Sequence, residues 1–153
     1  MQQFLCSGKE RLKNWRDFRR EIEGFTDDEQ IWAVNDWWNE APLVNWVIDW
    51  DDPQGWPNAW ELVHGGDFCR STIALLMDQT LANEPSERWT NDRRELWLIR
   101  DTENHIQHLV LLVDGKYILN YDAKDIRNIE NIPKSVIIEA KYSASDVGYD
   151  FKN

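Results

Sequence analysis

The sequence predicts one α+β domain, in which helices pack on an antiparallel sheet of about four strands. Helical patterns fill the first part of the chain, and alternating strand patterns fill the last part. In the last part, Asp114-Gly115 separates two apolar runs, which is a strong hairpin signal. The chain has 153 residues, enough for one sizeable core. We therefore expect a single domain over 1–153, with a helical, Trp-rich part at 1–50 and a cysteine-bearing helix plus the sheet at 56–143.

Two helices are predicted in the N-terminal part. The first covers 9–24 and closes at Gly24, and its apolar residues share one stripe: Leu12, Trp15, Phe18 and Ile22. The second begins with a capping box between Thr26 and Glu29, and it ends before Pro42. Both patterns indicate helices that bury one face.

Tryptophan is abundant in this part of the chain. Of ten tryptophans, eight lie between Trp15 and Trp60. Large aromatic side chains could supply core area to a small helical layer, or they could form a surface for a partner protein or a carbohydrate. We favour the core, although Trp37 and Trp38 cannot easily both point inward from one helix.

The second part begins with a short helical turn capped by Asn58, followed by a main helix from Phe68 to about Ala82 that Asp67 caps. Four strands follow, at 94–101, 108–113, 116–122 and 134–143, with one short helical turn in the segment 123–133.

Cys69 lies just inside the start of the main helix. It shares a stripe with Ile73 and Leu76, so we expect this stripe to face the sheet. Unpaired N–H groups and the helix dipole make a thiol easier to ionise at this position. The same position also suits a small buried hydrophobe. The residue alone leaves both interpretations open.

A catalytic thiol needs a histidine that takes its proton and a third group that orients the histidine. The chain has three histidines, and two of them, His105 and His108, come at the start of the first hairpin strand. His64 precedes the cysteine, and we expect it to be a solvated loop residue.

The register of the hairpin decides what faces His108. A two-residue turn places Val113 opposite Lys116 and His108 opposite Tyr121. A three-residue loop with a bulge at Gly115 places Leu112 opposite Lys116. In that second register His108 lies opposite Asn120, with Asp122 one diagonal step away. A shift of one residue reverses the face of every side chain, so both registers stay open.

These residues resemble those of transglutaminase-like proteins in the papain-like superfamily. The order is a cysteine on a helix, a histidine that opens a strand and an acidic residue on the next strand. The segment GGDFCRSTIALLMDQTL is similar to the family's helix start, and NHIQHLVLLVDGKYILNYD is similar to its hairpin. The run WPNAWELVHGGDFC also resembles small transglutaminase-like proteins of tailed bacteriophages.

The resemblance implies a papain-like/transglutaminase-like core and Cys-His acyl transfer, by hydrolysis or cross-linking of a peptide or side-chain amide. Cys69 matches the nucleophile and His108 the general base. The third member falls on Asn120, where an amide stands, or on Asp122, two positions late. The alternative from a different class is a catalytically silent phage virion or assembly protein that uses the same fold as an interaction module.

Composition restricts the partners. The net charge is −11 and the pI is near 4.6, which argues against nucleic acid and anionic membranes as partners. The two cysteines, Cys6 and Cys69, predict no disulfide scaffold, and no metal site or cofactor is expected. We expect a protein or peptide partner, such as a phage structural protein. Neither a signal peptide nor a membrane span is evident, which predicts a cytoplasmic protein, in the host cytoplasm or associated with the virion if it is phage-encoded.

Overall fold

A computed structural model describes residues 1–147. Four α-helices and five β-strands form within this range, connected by short 3₁₀ turns. The helices are α1 (Gly8–Glu21), α2 (Asp27–Trp38), α3 (Ala59–Gly65) and α4 (Arg70–Ala82). The strands are β1 (Arg94–Asp101), β2 (Ile106–Val113), β3 (Tyr117–Leu119), β4 (Arg127–Asn128) and β5 (Val136–Tyr142).

Local capping fixes where three of the helices begin. The Ser7 side chain accepts a hydrogen bond from the Glu10 N–H at the start of α1. Reciprocal capping boxes open α2, through Thr26 with Glu29, and α3, through Asn58 with Glu61. The predicted caps at Thr26 and Asn58 are confirmed. His64 is exposed, as expected for a solvated residue, but it lies in α3 and not in a loop.

Helix α4 is buried on every side, from Ser71 to Leu81. One side packs on β2 and β1, and another side packs on α2. Thr80 ties the helices together, because its hydroxyl accepts hydrogen bonds of 2.9 Å from the indole N–H groups of both Trp15 and Trp38. A central helix has no solvent face, so its stripe at Ile73 and Leu76 is only one of its packed surfaces.

The strands form one antiparallel sheet in the order β4-β3-β2-β1-β5. The α+β class with helices on an antiparallel sheet is as predicted, but the sheet has five strands because the segment after β3 adds the two-residue β4. Two apolar clusters lie on its two faces. The main cluster fills the space between helices and sheet, and the smaller one is built on Trp97, Ile99, Val110, Leu112 and Ile118.

Both predicted registers of the β2–β3 hairpin are wrong. The observed ladder pairs Val113 with Tyr117. Asp114 and Gly115 adopt φ of 55° and 63°, and the Lys116 N–H donates to the Val113 carbonyl at 3.0 Å, as in a two-residue turn. The Lys116 carbonyl, however, accepts a hydrogen bond from the Ile129 N–H, so pairing with β2 starts one residue later.

Several tryptophans belong to the core. Trp15, Trp38 and Trp56 are buried. Trp37 is half-buried, and its ring stacks on Phe18 with 4.8 Å between centroids. The two adjacent tryptophans of α2 thus both make packing contacts within the protein, because a neighbouring aromatic ring covers Trp37, which does not point into the core.

The helices of residues 1–147 include none with the length and apolar character that a membrane crossing requires.

Candidate active site around Cys69

Cys69 is itself the N-cap of α4, so the expectation that Asp67 caps this helix is wrong. The residues before the helix are held in an extended conformation by a second segment. The Val44 N–H donates to the Phe68 carbonyl at 2.7 Å, and the Trp46 indole donates to the Asp67 carbonyl at 3.2 Å. These two bonds fix the backbone that leads into Cys69.

The Cys69 side chain is buried, with 3% of the residue exposed. Its N–H is not a free donor, because it donates to the Thr72 hydroxyl at 2.8 Å. In the described part of the chain, the N–H groups of Arg70 and Ser71 have no acceptor, as expected in a first helical turn. Free donors at this helix start therefore come from the two residues after the cysteine.

His108 is buried near the start of β2. Its Nε2 lies 2.8 Å from the Asn120 carbonyl oxygen. A carbonyl can only accept, so Nε2 carries the proton and Nδ1 of the neutral ring remains an acceptor. Burial, with the nearby Arg70 cation as the second cause, lowers the pKa of His108 from 6.5 to about 4. The imidazole is therefore neutral at pH 7.

Asn120 connects the helix to the sheet. Its φ of 69° is in the left-handed region, which asparagine tolerates better than most residues. Its amide nitrogen donates to the Arg70 carbonyl at 2.8 Å and to the Leu109 carbonyl at 2.9 Å. Asn120 thus holds the start of α4 against β2 with its side chain, and it holds His108 with its main chain.

Arg70 is a member of this cluster that sequence reasoning missed. Its Nη2 donates to the carbonyls of Asn120 at 3.2 Å and of Tyr121 at 2.9 Å. Its Nε is buried and lacks an acceptor anywhere in residues 1–147. Burial lowers the pKa of Arg70, while the Asp122 charge opposes that shift. Only its position directly after the cysteine could have drawn attention to it.

Asp122 is placed differently from Asn120. Its carboxylate forms a two-bond ion pair with Arg127, with both N–O distances at 2.8 Å. Its side chain is partly exposed and makes no hydrogen bond to His108 within the described range. The hydrogen bond to the histidine comes from the main chain of Asn120.

The structure does not join Cys69 directly to His108. Among the residues described, no hydrogen bond links the Cys69 sulfur to the imidazole. Side chains alternate between the two faces of a sheet along a strand. His108 therefore shares a face with Val110 and Leu112, which belong to the smaller apolar cluster. Cys69 belongs to the main cluster. Asn120 and the Arg70 backbone lie between the two groups.

A cleft borders this cluster. It has a volume of about 200 Å³, and its walls include Leu43, Arg70, Ile73 and Asn120. The cleft gives solvent a route to the Arg70–Asn120 contact. Two tryptophans that precede Cys69 in the sequence make their contacts with other residues: the Trp56 indole donates to the Asp49 carbonyl, and Trp60 packs edge-on to Trp15.

No protein-family model and no curated protein matches the chain. Solved structures that resemble it include LapG from Legionella pneumophila in three forms. Calcium-bound LapG has a TM-score of 0.72 at 14% identity, over 92% of this chain and 78% of LapG. A second LapG structure gives 0.71 at 15% over 88% and 75%, and EGTA-treated LapG gives 0.70 at 16% over 90% and 74%.

At these identities the likeness is one of fold. It places the chain's helices and five-stranded antiparallel sheet with the transglutaminase-like fold of the LapG structures. The predicted fold class is thereby confirmed.

Proposed function

We propose that this protein is a cysteine-based hydrolase that acts by acyl transfer on a peptide or side-chain amide. In this proposal Cys69 is the nucleophile, His108 the general base and Asn120 the residue that positions the base. The observation that carries it is the hydrogen-bonded cluster in which Asn120 links the start of α4, the start of β2 and His108. The transglutaminase-like fold supports the same assignment.

The tautomer of His108 suits this role. Because Nε2–H donates to the Asn120 carbonyl, the lone pair of Nδ1 is left to accept the thiol proton. The thiolate sulfur then attacks the amide carbonyl carbon, and the C=O electron pair moves onto oxygen. The free N–H groups of Arg70 and Ser71 are the donors at the helix start that could stabilise this oxyanion.

The collapse of this intermediate breaks the C–N bond, and the leaving amine takes the proton from Nδ1. A thioester on Cys69 remains. Water attacks the thioester after it gives a proton to Nδ1, the C–S bond breaks, and the proton returns to sulfur. If an amine replaces water, the same steps form a cross-link.

The proposal requires one movement. Since the sulfur and the imidazole are not hydrogen-bonded and belong to opposite faces of the sheet in this structure, the start of β2 has to rearrange to bring Nδ1 of His108 to the Cys69 Sγ. Catalytic hydrogen bonds are often formed only in the complex with substrate. The cleft beside Arg70 and Asn120 is the side from which an acyl group would enter.

Calcium has no part in this mechanism. One LapG structure is calcium-bound, and Ca²⁺ takes six to eight oxygen ligands. Over residues 1–147, no group of three or more His, Cys, Asp or Glu side chains could hold a metal ion. The described residues do not fit the ion, and no step is assigned to it.

A second candidate is a catalytically silent module of the same fold, such as a phage virion or assembly protein. It is favoured by the burial of Cys69 and by the missing Cys69–His108 hydrogen bond. In this candidate Cys69 is a packed thiol. We likewise propose a phage origin, a protein or peptide partner, and a cytoplasmic or virion-associated location.

The rate at which iodoacetamide labels each thiol near pH 6.5 separates the two candidates. The hydrolase predicts faster labelling of Cys69 than of Cys6, whose sulfur donates to the Gln3 carbonyl and accepts from the Asn14 amide. His108→Asn should slow Cys69 labelling, whereas the matched change His105→Asn, at an exposed histidine, should not. If Cys69 is labelled only after denaturation, the silent module is the better account.

A further inference from the structure

Helix α1 carries a stripe of exposed cations. Four of its basic residues, at intervals of four, three and four positions, fall on one helical face: Lys9, Lys13, Arg16 and Arg20. Among the described residues, one acidic side chain, that of Asp17, pairs with this stripe, at 2.8 Å from Lys13 and 3.8 Å from Arg16. Within the described residues, Lys9 and Arg20 form no ion pair.

The stripe contrasts with the charge of the rest of the protein. Helix α1 holds six cationic and three acidic residues, a net charge of +3. The whole chain has a net charge of −11, so the remainder has a net charge of −14. A helix with a net positive charge on so acidic a protein attracts anions.

A groove runs beside the stripe. It has a volume of about 630 Å³, and its lining includes Lys9, Lys13, Arg16, Leu12 and Trp60. The lining therefore combines several cations with the apolar and aromatic surface of Leu12 and Trp60, and it includes one acidic residue, Glu10.

Arg19 also lines this groove. Its guanidinium carbon is 4.1 Å from the Trp15 ring centroid and 5.7 Å from that of Trp60. Burial, together with the neighbouring cations Arg16 and Arg20, lowers the pKa of Arg19 to about 10. Its Nε is buried and has no acceptor in the described part of the chain. Arg19 is thus a cation without a carboxylate partner.

We propose that the groove between the α1 stripe and Trp60 binds a short acidic peptide segment of a partner protein. Its carboxylates would pair with Lys9, Lys13, Arg16 and Arg20, and its apolar side chains would lie on Leu12 and Trp60. The binding surface involves none of the residues assigned to acyl transfer, so it stands whether or not Cys69 is a nucleophile.

Two features favour a peptide over a nucleic acid or a membrane. The stripe is only about 16 Å long at 1.5 Å per residue, the length of about five extended residues. A DNA duplex or a lipid surface would extend beyond the stripe by more than the Debye length of about 8 Å and would meet the acidic remainder. The apolar surface of Leu12 and Trp60 also suits the apolar side chains of a peptide, which a phosphate backbone does not have.

The test uses fluorescence anisotropy with a fluorescein-labelled Glu-rich peptide of about ten residues that carries one Phe. One variant replaces the stripe by glutamine: Lys9→Gln, Lys13→Gln, Arg16→Gln and Arg20→Gln. The matched control replaces four exposed cations elsewhere: Arg100→Gln, Lys116→Gln, Lys134→Gln and Lys141→Gln. Both variants carry the same net charge, and circular dichroism verifies that each is folded.

We expect the stripe variant to bind the peptide about tenfold or more weakly than the parent, and the control to lose less than about twofold. We also expect the indole signal of Trp60 to shift in the NMR spectrum when peptide is added to the parent. The proposal is overturned if the peptide does not bind or if both variants lose affinity equally. It is also overturned if a DNA duplex or phosphatidylserine vesicles bind the stripe and the peptide does not.

Discussion

The two ends of α4 differ in whether a buried cation has a partner for its charge. Towards the C-terminal end, Asp78 pairs with Arg94 at 2.5 Å, and both side chains are buried. Arg94 makes two further hydrogen bonds, to the Trp89 carbonyl and to the Asn91 side chain. At the N-terminal end, the Arg70 Nε is buried without an acceptor in the described residues.

We interpret this difference as one between a structural contact and the proposed site. A buried ion pair whose guanidinium also bonds to neighbouring groups serves the packing of the fold. A buried cation with an unmet donor, beside a thiol and a neutral imidazole, lowers stability, and such groups concentrate at functional sites. The carboxylate that could have neutralised Arg70, Asp122, is paired with Arg127 instead.

The largest effect is expected from breaking the buried pair. Asp78→Ala leaves the Arg94 charge buried and unpaired, so the free energy of unfolding should fall by about 3–5 kcal/mol. Asp122→Ala breaks a partly exposed pair, and its loss should stay below about 1 kcal/mol. Urea unfolding of the two variants measures both losses of stability. Equal losses would show that the two ends of α4 do not differ.

A second effect concerns pH. The folded-state pKa of His108, about 4, lies below the unfolded value of about 6.5, so the unfolded chain binds more protons between these values. The contribution of His108 to stability is therefore complete above pH 6.5 and is lost as the pH falls to about 4. It amounts to about 3 kcal/mol at most.

The measurement is urea unfolding of the parent and of His108→Gln across this pH range. The advantage of the parent over the variant should shrink as the pH falls from 6.5 to 4. An advantage that stays constant would mean that His108 is not held neutral.

A smaller effect should separate Asn120 from Asp122. Asn120→Gly keeps the left-handed backbone but removes two buried hydrogen bonds, at a cost of about 1–3 kcal/mol. It should also slow labelling of Cys69, because the start of α4 loses its link to β2. Asp122→Asn should leave the labelling rate nearly unchanged. A larger effect of Asp122→Asn would assign the positioning of His108 to that residue.

Local patterns account for what the sequence predicted well. Three features depend on residues within a few positions of each other: the apolar stripe of α1, the capping boxes at Thr26 and Asn58, and the bounds of β1. The order of helices and strands follows from the same kind of pattern, and so does the α+β class.

Contacts between distant residues account for what it did not predict. The hairpin register depends on the bond from the Ile129 N–H to the Lys116 carbonyl, and the role of Arg70 depends on carbonyls of Asn120 and Tyr121. Neither contact leaves a spacing pattern in the sequence. The left-handed backbone at Asn120, which turns its carbonyl toward His108, is likewise set by bonds to α4 and β2.

The most direct test of acyl transfer at Cys69 is to incubate the intact protein with p-nitrophenyl acetate and follow acetylation by mass spectrometry of its peptides. We expect an acetyl group on Cys69 that forms and is then hydrolysed in the parent protein and in His105→Asn, and that forms slowly or persists in His108→Asn. An unmodified Cys69 in the folded protein, while Cys6 or surface lysines become acetylated, would contradict it.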